Sequence, residues 1–192
     1  MKLIISLIFG FIFSLTHAFA QGALPNSLLW EQIRASNVIN VTGKTAVGIK
    51  KNTAFVFLSP ECPLCKNYML ILNELCKKYP QVSIVGIVPG KSYTLKDIKQ
   101  FAVDYKADFE IYLDQKKTLT KILKAKVTPE TVVVDQKGNV RYRGLIDNWQ
   151  ANLGVKRKVI TEHYLDDALD QINETSYKYT ETAPVGCLIN DL

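Results

Sequence analysis

Histidine is nearly absent from this chain of 192 residues: there are two, and His17 follows directly on the opening apolar segment. A metal centre built on imidazole therefore lacks its ligands. Cysteine is sparse as well, at four (Cys62, Cys65, Cys76 and Cys187), too few for a disulfide-built scaffold of this length. One Cys-x-x-Cys occurs, with no second copy and no Cys-x-x-His, so a closed zinc site is short of donors. Lys66 stands where haem attachment needs a histidine directly after the pair. There is no internal repeat or low-complexity tract, and beyond residue 20 no apolar stretch is long enough to cross a bilayer.

The composition that remains is ordinary for a folded domain, with 47% hydrophobic and 22% charged residues. The net charge of +6 is spread over separate short runs: Lys50-Lys51, Lys77-Lys78, Lys116-Lys117 and Lys156-Arg157-Lys158. Such scatter reads as solvated faces, and no nucleic-acid partner is expected. Met1-Lys2, the apolar run Leu3 to Leu15 and the small residues of Ala18-Phe19-Ala20 form a cleavable export signal over residues 1–20. Cleavage after Ala20 removes Lys2, lowers the charge from +6 to +5 and leaves Gln21 first. The mature protein is then expected to be periplasmic or secreted, without stable membrane insertion, in an oxidising compartment.

Along the mature chain, strands alternate with helices. Leu28 to Thr42 is mixed, with strand-like Val38-Ile39-Asn40-Val41. Thr53 to Leu58 and Val82 to Val88 read as buried strands. Between them Tyr68, Met69, Leu72, Leu75, Cys76 and Tyr79 recur at helical spacing until Pro80. Thr94 and Asp97 form a capping-box-like pair ahead of a second helix. A strand at Phe109 to Leu113, a short helix carrying Leu119, Ile122 and Leu123, and a strand at Thr131 to Val134 follow. Lys137-Gly138-Asn139 turns into Val140 to Gly144, and Thr161 is placed as the cap of the last helix. The expected fold is α/β, with a central mixed sheet flanked by helices. The expected division is a domain over 21–173 with an N-terminal extension and a polar tail over 174–192 carrying Cys187.

The chemistry concentrates at Glu61-Cys62-Pro63-Leu64-Cys65-Lys66, where a buried strand gives way to a helix. Pro63 suits the first helical position and puts Cys62 at the N-cap. There its sulfur faces the unpaired amides and the positive end of the helix dipole, which favour thiolate over thiol. Cys65, one turn further in, is within reach of Cys62 for a small disulfide and should be less exposed. Glu61 opposes the thiolate and Lys66 assists it. A structural bridge and a metal site are the competing accounts of the pair.

Three segments together, Phe55 to Lys66 (FVFLSPECPLCK), Val127 to Asp135 (VTPETVVVD) and Gly138 to Asp147 (GNVRYRGLID), resemble the thioredoxin superfamily. The closest likeness is to exported bacterial redoxins of the alkyl hydroperoxide reductase/thiol-specific antioxidant group and their thiol-disulfide oxidoreductase cousins. The resemblance spans about Val38 to Asn173, with the helix and strand from Thr94 to Leu113 matching an insertion of that group. It implies a cis peptide bond before Pro129, with Thr128 and Pro129 beside the active cysteines in a groove that holds a partner's peptide. Glu61 replaces the tryptophan of ordinary thioredoxins, which puts the usual reductase partner in doubt. Ser59 keeps half of the peroxiredoxin motif, but Phe55 stands where its proline belongs. Arg141 and Arg143 read as solvent-facing strand charges.

Cys76 lies fourteen residues after Cys62, roughly 21 Å along a continuous helix, so those two cannot pair; it reads as a small buried hydrophobe. Cys187 sits in a compact apolar patch, Thr182 to Ile189. The resemblance implies a resolving or exchanging partner for Cys62; a static tie to Cys76 and a free thiol remain as alternatives. His163 falls opposite the Leu165/Leu169 face and reads as exposed and inert. Copper-delivery relatives of the fold space their cysteines differently and use a distal histidine.

These observations predict an exported thiol-disulfide oxidoreductase in which Cys62 attacks and Cys65 resolves, with no bound cofactor and no metal. Its partners would be protein thiols and disulfides and an unidentified upstream electron donor. One alternative is a thiol peroxidase, with Cys62 peroxidatic and Cys65 or Cys187 resolving. Another is a non-catalytic thioredoxin-fold binding module.

Overall fold

A computed structural model describes residues 27–44, 52–174, 176 and 180–189. The expected leader, residues 1–20, lies outside the described residues. The chain opens with α1 (Ser27–Arg34) and β1 (Ile39–Asn40), then β2 (Thr53–Phe57), α2 (Pro63–Lys78), β3 (Ser83–Pro89), α3 (Leu95–Asp104) and β4 (Glu110–Asp114). It continues through α4 (Thr118–Ile122), β5 (Val127–Thr128), β6 (Glu130–Val134) and β7 (Val140–Gly144). A small hairpin of β8 (Gln150–Asn152) and β9 (Val155–Lys156), then α5 (Tyr164–Asp170) and β10 (Cys187–Leu188), complete it.

Six strands form one sheet in the order β1-β4-β3-β2-β6-β7. The two pairs β2–β3 and β3–β4 are parallel, and the remaining pairs are antiparallel. The parallel pairs are joined by α2 and α3, as parallel strands require. β2 is buried at every position, which explains its unbroken apolar sequence. Its side chains alternate between two cores. Ala54, Val56 and Leu58 join Leu64, Tyr68, Leu72, Ile98, Phe101, Leu165 and Leu169 on one face. Phe55 and Phe57 join Trp30, Ile33, Leu119 and Leu123 on the other. The molecule is thus a three-layer sandwich, with α2, α3 and α5 on one side and α1 and α4 on the other.

Two local expectations are corrected. Ser27–Arg34 is a helix, not mixed chain: Trp30 and Ile33, one turn apart, both point into the second core. The Trp30 Nε1–H also donates to the Asp135 carbonyl at 2.9 Å. The last helix begins at Tyr164 with His163 at its N-cap, not at Thr161. Thr161 is drawn away by Asn148, whose amide donates to its hydroxyl at 2.7 Å and accepts its N–H at 3.0 Å. His163 is exposed, as expected. The Thr94–Asp97 capping box forms in full at the start of α3.

Candidate active site

β2 and β6 run antiparallel with Phe57 opposite Glu130. The end of one strand therefore meets the start of the other, and this register brings Cys62 to Thr128. Cys62 is the N-cap of α2 in an extended conformation, with Pro63 in the first turn. Cys62 is 2% exposed, and its sulfur lies 3.3 Å from the Thr128 carbonyl oxygen. Among the described residues the Thr128–Pro129 bond is the cis peptide. The expected neighbourhood of Cys62, Thr128 and Pro129 is assembled.

The disulfide is not between Cys62 and Cys65. Cys62 is bonded to Cys187, 125 residues away in sequence, with the two Cα atoms 6.3 Å apart. Cys65 and Cys76 are free thiols. The pairing also removes the alternative in which Cys187 is tied to Cys76. Cys76 is only half-buried, packed against the rim of the first core near the far end of α2.

Cys65 is fully buried, and the Ser59 N–H points at its sulfur from 3.3 Å. Burial pushes its thiol up to about 12, against smaller opposing effects from the Ser59 N–H and the Thr128 hydroxyl. Cys76 is pushed up to about 11, again mainly by burial, with the Asp108 carboxylate adding to it. At pH 8 the thiolate fraction of Cys65 is then on the order of 10³-fold below that of an unperturbed cysteine. Alkylation of the folded protein followed by mass spectrometry should label Cys76 at least several-fold faster than Cys65, and equal rates would contradict this ordering. The sign for stability follows from proton counting. Between pH 9 and 12 the unfolded chain releases the Cys65 proton while the folded one retains it, so stability falls as pH rises.

The tail is held on both sides of Cys187. Cys187 and Leu188 form β10, paired antiparallel with β5 so that Cys187 faces Thr128 and Leu188 faces Val127. The Ile189 N–H donates to the Lys126 carbonyl at 3.0 Å. Upstream, the Thr182 N–H donates to the Arg143 carbonyl at 3.2 Å, and its hydroxyl accepts from the Leu145 N–H at 2.8 Å. The Tyr142 and Thr182 hydroxyls lie 2.8 Å apart. A Cβ on Gly144 would fall 3.0 Å from the Thr182 nitrogen, so glycine there admits the tail.

Arg143 is not a solvent-facing strand charge. Its side chain is 17% exposed, lies 3.7 Å from Glu181 and 4.0 Å from Glu130, and donates to the Leu123 carbonyl. It thus links the tail to β6. Arg141 is half-buried and donates to the Glu174 carbonyl. Neither the Thr182 clamp nor this role of Arg143 was evident from spacing. The only signal was the compact apolar patch around Cys187.

A cleft of about 840 Å³ runs beside the disulfide, lined among others by Glu61, Tyr93, Lys116, Thr128, Cys187 and Leu188. Cys187 faces this cleft, whereas Cys62 does not line it. Ser59, the remnant of the peroxiredoxin pattern, has its hydroxyl 2.8 Å from that of Tyr93.

Comparison with known proteins agrees with this geometry. The sequence pattern of the AhpC/TSA family matches residues 34–143, more than half of the chain. No curated protein matches. Among solved structures, a hypothetical protein from Sinorhizobium meliloti is 20% identical with a TM-score of 0.69, covering 79% of this chain and 88% of that one. The dsbF protein of MTB, solved in mixed oxidized and reduced forms, is 17% identical with a TM-score of 0.57, covering 73% and 96%. A secreted Mycobacterium tuberculosis disulfide oxidoreductase homologous to E. coli DsbE is 19% identical with a TM-score of 0.50, covering 57% and 82%. At these identities the likeness establishes the fold. With its mixed sheet, its Cys-x-x-Cys at a helix start and its cis Thr128–Pro129, the chain has the thioredoxin fold and belongs to the AhpC/TSA family.

Proposed function

We propose that this protein is an exported thiol-disulfide oxidoreductase that cycles Cys62 between a thiolate and a disulfide with Cys187. The observation that carries the reading is the Cys62–Cys187 bond at the N-terminus of α2, beside the Thr128 edge. In the reduced protein the helix N-terminus favours the Cys62 thiolate. That thiolate attacks one sulfur of a partner disulfide, forming a mixed disulfide and releasing the partner's other sulfur as a thiolate, which takes a proton from water. Cys187, deprotonated, then attacks Cys62 Sγ and releases the partner's second thiolate, leaving Cys62–Cys187. Two electrons and two protons from an upstream dithiol donor restore the start. The donor's thiolate is best placed to attack Cys187, which faces the cleft, and Cys62 is the favoured leaving group.

Cys65 is the slower resolving thiol in this scheme, since burial keeps it protonated. This reverses the sequence-based order, in which Cys65 resolves and Cys187 is a possible accessory thiol. A partner disulfide incubated with reduced Cys65→Ser/Cys187→Ser protein should leave a stable mixed disulfide on Cys62, visible by intact mass. Absence of any adduct would overturn the proposal. A thiol peroxidase would form the same Cys62–Cys187 bond. Rapid peroxide consumption by the Cys65→Ser protein, without disulfide exchange, would assign the site to peroxide instead.

A further inference from the structure

The tail does more than supply a sulfur: it occupies a strand-pairing edge as an extended segment whose cysteine is bonded to Cys62. Cys187 sits opposite Thr128 in antiparallel register, and the Thr128 hydroxyl lies 3.5 Å from the Cys187 carbonyl oxygen. Gly186 is buried against this edge. A Cβ there would lie 2.7 Å from the Thr128 carbonyl carbon and 3.2 Å from the Pro129 nitrogen. Those neighbours are backbone atoms at the start of a central strand, so they cannot rotate away as a flexible side chain would. Leu188, the next residue after the cysteine, is 76% exposed. On the tail, therefore, the position before the cysteine is tightly enclosed and the one after it is open.

We infer that the tail is a built-in likeness of the external partner, and that the Thr128–Pro129 edge selects extended protein segments carrying glycine immediately before the reacting cysteine. This rests on the proposed exchange at Cys62 and names its substrate class. Once Cys62–Cys187 is reduced, only backbone pairing holds the tail on the edge, and an incoming segment displaces it and adds as a strand in the same register. Backbone pairing supplies the general affinity. The absent Cβ supplies the selection, because any larger residue pushes the segment off the edge and moves its sulfur away from Cys62. Tail and partner thus compete for one edge.

The test uses the reduced full-length Cys65→Ser/Cys187→Ser protein and peptides copying residues 183–189. The peptide cysteine is held as a mixed disulfide with 5-thio-2-nitrobenzoate. Attack by the Cys62 thiolate on the peptide sulfur forms the Cys62–peptide disulfide and releases one coloured thionitrobenzoate, so atoms and electrons balance. The glycine peptide should react at least tenfold faster than peptides with alanine or valine in its place. Replacing the leucine after the cysteine should change the rate less than twofold. Adding Gly186→Val, which expels the protein's own tail, should speed the glycine peptide further.

Equal rates for glycine, alanine and valine peptides would overturn the inference while leaving the exchange chemistry intact, and so would an unchanged rate on adding Gly186→Val. Failure of Cys62 to react even with a small aromatic disulfide would overturn the proposed function along with it.

Discussion

Replacing Cys62 with alanine should lower catalysed disulfide exchange by on the order of 10³-fold or more while leaving the fold intact. The remaining thiols cannot take over. Cys65 is fully buried, with its thiol held up to about 12, so almost none of it is thiolate at neutral pH. Cys187 still attacks disulfides as an ordinary thiol on the tail, but it then has no neighbouring sulfur to resolve the mixed disulfide. An intramolecular partner is equivalent to a very high thiol concentration, and losing it removes most of the turnover. Steady-state exchange with a dithiol donor measures the effect. The Cys76→Ala protein is the control, since Cys76 lies at the far end of α2, and it should keep near-full activity. More than a tenth of the activity surviving in Cys62→Ala would place the nucleophile elsewhere.

Glu130→Ala should destabilise the protein by about 3 kcal/mol, a cost in the range for breaking a buried, multiply bonded charge. Glu130 is 1% exposed. Its Oε2 accepts the Lys126 N–H at 2.7 Å and the Val127 N–H at 3.2 Å, fixing the approach to the cis Thr128–Pro129 bond. Alanine strands both donors and also leaves Arg143 without its strand-side carboxylate. Because Val127 and Thr128 form the edge that holds the tail, the same change should loosen β10. Reduced Glu130→Ala protein should then expose Cys187 to alkylation faster than the parent. Glu130→Gln keeps a carbonyl oxygen for the two amides and loses only the charge, so it should cost less than half as much. Chemical denaturation separates the cases. A loss below 1 kcal/mol in Glu130→Ala would show that the Lys126 and Val127 amides find other acceptors.

The legibility of this chain divides along physical lines. The buried strand Thr53–Phe57, the helix running to Lys78 and the Thr94–Asp97 cap were readable because periodicity and capping are contacts between close neighbours in sequence. Cys62 at the N-cap was readable for the same reason, since Pro63 at the first turn is a local preference. α1 was missed because its inward face is marked only by Trp30 and Ile33, with Leu29 packed at the margin, too few to establish a period. Thr161 as a cap was a reasonable local reading that Asn148, thirteen residues away, overrode. Arg143 on an alternating strand looked solvated because its partners Glu130, Glu181 and the Leu123 carbonyl come from three other segments.

The sequence by itself determined the layered α/β arrangement and the place of the Cys-x-x-Cys at the start of α2, and the family resemblance implied the cis Thr128–Pro129 bond beside it. Only the tertiary structure decided which sulfur Cys62 is bonded to. Cys65 is near in sequence, but it is fully buried within the first turn of α2 and remains a free thiol. Cys187 is 125 residues away, yet the Thr182 clamp and the β5 edge deliver it to the N-cap. Closing so long a loop costs entropy that grows only slowly with length, so a few backbone bonds at each end of the tail suffice to choose the distant partner.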